Sequence, residues 1–129
     1  MPLERKLIQM KRAATATVEK NSGIYVLQLK NTAMYYVGTS ENIERRVNAH
    51  RLGNGSAWCR KHGGVNARMP ILDGRSELDE TITTMLVYGF ENVRGWEFSG
   101  CAQLSVAELD TVVLYVCCDT ILFHTDNNN

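Results

Sequence analysis

Two tyrosine-bearing apolar runs, at residues 23–29 and 34–38, stand on either side of the turn-like stretch Lys-Asn-Thr-Ala. Runs rich in β-branched and aromatic residues, this short and this close, predict an antiparallel hairpin. If Leu29 pairs with Met34, Tyr25 opposes Gly38 and Tyr36 becomes its diagonal neighbour on the same face. Diagonal neighbours lie about 7–8 Å apart, so both rings could reach one bound group. A slip of one residue would send the rings to opposite faces. Tyr35 points the other way and reads as core.

The segment after the hairpin, TSENIERRVNAHRLG, reads as a helix from about Glu41 to Leu52, capped by Thr39 or Ser40 and stopped by Gly53. Ile43 and Val47 are its apolar positions, and Asn42, Arg46 and His50 fall at i, i+4 and i+8 as one polar stripe. Arg46 could fork onto a phosphate, and His50 could move a proton near neutral pH. The glycine-punctuated loop GNGSAWCRKHGG carries Arg60, Lys61 and His62 around a short helical turn. A third strand is expected in ARMPILD, with Pro70 placing it at an edge or bulge.

A second long helix is expected in SELDETITTMLVYG, with Leu78, Ile82, Met85 and Leu86 as its apolar stripe and Glu77, Glu80 and Thr84 away from it. Ser105 to Glu108 form a capping box that opens the last helix, whose apolar face is Leu109, Val112, Val113 and Val116.

The chain of 129 residues is long enough to bury the core of one domain. No apolar run approaches the roughly 20 residues that cross a bilayer, so no membrane partner is expected. The charged start lacks the apolar stretch of a secretory signal, and residues 1–20 read as a solvated helical arm. Residues 21–118 then form the domain, and 119–129 a disordered tail. Cys59, Cys101, Cys117 and Cys118 make no disulfide framework, which suits an intracellular, reducing compartment. Cys117, Cys118 and His124 lack a fourth zinc ligand and read as available thiols. Zero net charge hides an asymmetry: residues 1–68 hold 12 of 14 Lys and Arg against 4 of 14 Asp and Glu, a balance of +8, and the remainder carries −8. Such a split fits a face that meets phosphates, or two halves that neutralise each other on folding.

Gly23–Tyr25 (GIY) and Tyr36–Gly38 (YVG), followed by Thr39, Asn42, Arg46 and His50 in register, resemble the signature of the GIY-YIG nuclease superfamily. GSAWCRKHGG and YGFENVRGW are most similar to its short stand-alone members in large DNA viruses. The resemblance spans roughly Gly23 to Gly95. It implies an α/β (α+β) fold, a small three-stranded antiparallel sheet flanked by helices, and metal-dependent hydrolysis of DNA phosphodiesters. It also implies a catalytic set of Tyr25, Tyr36, Arg46, His50 and Glu80. Tyr25 would activate or orient the attacking water with help from His50, and which of the two takes the proton stays open. Tyr36 would orient the scissile phosphate and Arg46 would hold its free oxygens. Glu80, twelve residues before Asn92, would ligate one Mg²⁺ (or Mn²⁺), with Glu77 one turn earlier as the fallback. Arg45, Arg51, Arg60, Lys61, Asn92 and Arg94 are the candidates for DNA contacts outside the centre. The alternative is a catalytically weak nucleic-acid-binding module that keeps the fold.

Overall fold

A computed structural model describes residues 21–71 and 74–127, with side chains to residue 118. The expected N-terminal arm lies outside the described residues. Strand β1 (Gly23–Leu29) turns into β2 (Tyr35–Ser40) and then into helix α1 (Ile43–Arg51). A short helix α2 (Ala57–Lys61), strand β3 (Val65–Met69) and helix α3 (Glu77–Tyr88) follow. A 3₁₀ turn at Phe90–Asn92 leads into strand β4 (Val93–Gly95), and helix α4 (Val106–Asn127) ends the described chain. Helix α4 thus carries on past residue 118, where the sequence reading placed a disordered tail.

The hairpin takes the register that its alternation predicts. The Leu29 N–H donates to the Met34 carbonyl at 2.9 Å, Tyr25 opposes Gly38, and Tyr36 opposes Leu27. Strand β3 pairs antiparallel with β1 on its free side. It starts at Val65, earlier than ARMPILD suggested, and stops before Pro70, which has no N–H to offer a ladder. The sheet has four strands in the order β3-β1-β2-β4, not three. The added β4 runs parallel to β2, with Tyr35, Tyr36 and Val37 opposite Val93, Arg94 and Gly95.

Alternation along β1 and β2 feeds two apolar layers. Val26, Tyr35 and Val37 pack with Ile82 and Met85 of α3 and with Val112 of α4. Tyr25, Leu27 and Leu29 pack with Ile43 and Val47 of α1 and with Trp58 and Cys59 of α2. Tyr35 stacks on Tyr88 at 3.8 Å between ring centres, so it is structural, as its strand position suggested.

Helix α1 starts two residues later than expected. Ser40 stays in β2, and the cap is Asn42, whose side chain accepts the Arg45 N–H at 3.1 Å. Asn42 therefore leaves the polar stripe it was assigned to. Helix α3 opens on a capping box of Ser76 and Asp79. Its buried face differs from the expected stripe: Leu86 is 54% exposed, while Glu80 and Thr84 are inside. The buried hydroxyls donate within the helix, Thr81 to the Glu77 carbonyl and Thr84 to the Glu80 carbonyl, both at 2.7 Å, so their burial leaves no donor unpaired. The α4 capping box forms between Ser105 and Glu108. Val112 of that helix is buried, whereas Val113 is exposed.

Candidate active site

The β1–β2 hairpin and α1 bring four side chains to one face of the sheet. The Tyr25 and Tyr36 rings lie 6.4 Å apart between centres, and the His50 ring is 5.8 Å from the first and 5.2 Å from the second. The Tyr25 hydroxyl and His50 Nε2 are 2.9 Å apart. Arg46 stands one turn before His50 on α1, half-buried, and its charge acts on the Tyr25 phenol. Two glycines make this close packing possible. A Cβ on Gly38 would stand 2.4 Å from the Tyr25 ring, and one on Gly55 would stand 1.9 Å from His50 Nδ1. The cross-strand partner of Tyr25 must therefore be a glycine, and so must the loop residue that passes His50.

Burial dominates the electrostatics. The Tyr25 phenol is pushed far above its ordinary range by burial first and by Tyr36 second, while a hydrogen bond and the charge of Arg46 pull it part of the way back. Tyr36 is raised as well, by burial, by Cys59 and by the negative charge of Glu77, with Arg46 opposing. His50 is lowered to about 4 by burial and by Arg46, so its ring is neutral at physiological pH. Cys59 is driven up to about 11 by burial, which keeps it an inert thiol.

The two carboxylates on α3 are placed differently. Glu80 is 1% exposed, with Oε2 at 3.6 Å from Arg75 Nε and Oε1 at 3.4 Å from the Thr84 hydroxyl. Glu77 is half-buried, and its Oε1 accepts the Trp96 N–H at 3.0 Å. Trp96 follows Gly95, which pairs with Val37 between Tyr36 and Gly38. Glu77 is thereby hooked to the strand end beside the phenols, and its charge acts on Tyr36.

The expected DNA contacts divide in the same way. Arg45, Arg51, Arg60 and Lys61 are exposed. Arg94 is 2% exposed and donates to the carbonyls of Phe90, Val93, Gly100 and Ala102. Its guanidinium also lies 4.5 Å over the Trp58 ring, so it fastens the core and offers nothing to a phosphate. Asn92 donates its amide to the Tyr88 carbonyl at 2.8 Å and closes the end of α3. Sequence reasoning missed Gly55 and Ser56, which hold His50 from behind. A small-residue pair a few positions after the histidine was the available signal.

Residues 21–84 match the family profile of the GIY-YIG catalytic domain. No curated protein and no solved structure gives a significant match to the chain.

Proposed function

The chain belongs to the GIY-YIG family, a family of nuclease-type endonucleases that generally depend on a divalent metal; from that premise we propose that it hydrolyses DNA phosphodiester bonds with Mg²⁺. The observation that carries this reading is the contact of His50 with the Tyr25 hydroxyl, with Tyr36 alongside on the same face and Arg46 one turn away on the same helix. In it, Tyr25 takes the proton of the attacking water, Tyr36 orients the scissile phosphate and Arg46 holds its non-bridging oxygens. The acid of choice becomes Glu77 rather than Glu80. Glu80 is buried and already faces the half-buried Arg75, while Glu77 acts on Tyr36. Mg²⁺ keeps several waters and takes one or two carboxylates plus substrate phosphate, so a single glutamate beside the phosphate site fits its chemistry. When bound, the ion would neutralise charge that builds on the departing oxygen.

Nicking of supercoiled plasmid at low salt, with and without Mg²⁺ or Mn²⁺, tests the proposal. Metal-dependent nicking is expected, and its single-turnover rate should climb about tenfold per pH unit from pH 6 to 9. The reason is that Tyr25 is deep in its protonated range, where the phenolate fraction rises in proportion to hydroxide. His50, lowered to about 4, should add no inflection near pH 6.5. A bell centred near pH 6.5 would contradict Tyr25 as the base. No cleavage together with salt-sensitive DNA binding would leave the fold as a binding module.

The exposed cations give a second expected result. If Arg45, Arg51, Arg60 and Lys61 each neutralise one phosphate, a plot of log affinity against log salt should have a slope of about −3.6, at about −0.9 per contact. A slope near zero between 50 and 200 mM salt would remove these residues from the interface.

A further inference from the structure

The His50 ring has hydrogen-bond partners on both nitrogens, and one of them fixes the direction of the other. The Ser56 backbone N–H donates to His50 Nδ1 at 3.2 Å. A backbone amide can only donate, so Nδ1 must carry a lone pair and no proton. In a neutral ring the hydrogen then sits on Nε2, which faces the Tyr25 hydroxyl at 2.9 Å. The loop leaves His50 no room to turn, because Gly55 approaches so closely that a Cβ there would stand 1.9 Å from Nδ1.

We propose that His50 is a positioning residue: it donates its Nε2 hydrogen to the Tyr25 oxygen and does not accept a proton from it. This rests on the reading of the site as a nuclease centre and assigns the direction of its central hydrogen bond. The Nε2–H of His50 and the positive charge of Arg46 act on the same phenol. Such an arrangement stabilises negative charge on its oxygen and has no use for a base behind it. Tyr25 first gives its own proton to solvent. The phenolate then takes a proton from water, the water oxygen closes the new bond to phosphorus, and the electron pair of the severed P–O bond leaves with the 3′ oxygen. Depression of the His50 pKa by burial and by Arg46 agrees with a ring that stays neutral throughout.

Glutamine places an amide N–H where Nε2 stands but cannot act as a base at these pH values. In the full chain, His50→Gln should keep cleavage within about tenfold of the parent. His50→Ala should lose about 10²-fold, the usual cost of removing one donor to developing negative charge. Loss in the glutamine variant as deep as in the alanine variant, with both folded, would overturn the proposal. Nitrogen-15 NMR of the parent protein gives a readout independent of activity. A pyridine-type Nδ1 with a protonated Nε2 is expected, and a protonated Nδ1 would overturn the donor assignment. If the parent cleaves no DNA, the nuclease reading falls, while the NMR result still decides which nitrogen carries the hydrogen.

Discussion

Arg94→Ala should lower stability by about 3–4 kcal/mol, a large share of the roughly 5–15 kcal/mol that holds a domain of this kind together. The guanidinium serves carbonyls at Phe90, Val93, Gly100 and Ala102 and lies against Trp58. Alanine leaves these acceptors without their donor and opens a void beside the indole. The pair with Glu91, at 3.3 Å, adds little because Glu91 is largely in water. Lysine should recover less than half of the loss, since one ammonium cannot reproduce the planar fork that serves four carbonyls. Urea unfolding checks both variants. A midpoint unchanged in Arg94→Ala, with a shallower salt dependence of DNA binding, would return this residue to the surface role that its charge suggested.

Glu77→Gln should reduce cleavage by about 10²–10³-fold while leaving the protein folded, because the amide can still accept the Trp96 N–H. Its Mg²⁺ requirement should rise sharply, since a neutral amide is a poor ligand for a hard cation. Glu80→Gln should do the reverse. It keeps the bond from the Thr84 hydroxyl, weakens the pair with Arg75 and costs about 1 kcal/mol of stability, with cleavage and its metal dependence little changed. Titration of plasmid nicking against Mg²⁺, beside thermal unfolding of each variant, separates the two carboxylates. If Glu80→Gln abolishes nicking and Glu77→Gln does not, the metal ligand is Glu80 after all.

The part of the site that local patterning controls was legible. Alternation in the two runs fixed the hairpin register, and with it the shared face of Tyr25 and Tyr36. The 3.6-residue period then laid Arg46 and His50 on one side of α1. What failed depended on partners remote in sequence. Strand β4 has three residues, too few for a period, and its partner β2 lies more than fifty residues earlier. Arg94 looked like a surface cation because nothing in its neighbours announces four inward-facing carbonyls. In α3, hydropathy placed Leu86 inside and Glu80 outside, yet helix and ion-pair bonds make the polar residues acceptable in the interior. The proposal of Glu77 over Glu80 rests on three-dimensional placement, which spacing along the chain to Asn92 does not carry, since Asn92 closes the end of α3.

The parallel pairing of β2 with β4 also bears on the order in which the domain assembles. Tyr25, Tyr36, Arg46 and His50 lie within one hairpin and the helix that follows it, so their contacts close over short loops at small entropic cost. Glu77 joins them through Trp96, at the end of the strand that completes the sheet. That closure spans the longest loop of the sheet and should come late in folding. A nascent chain would thus gather its tyrosines, arginine and histidine first and receive Glu77 last, so the proposed site would be complete only at the closing step of folding.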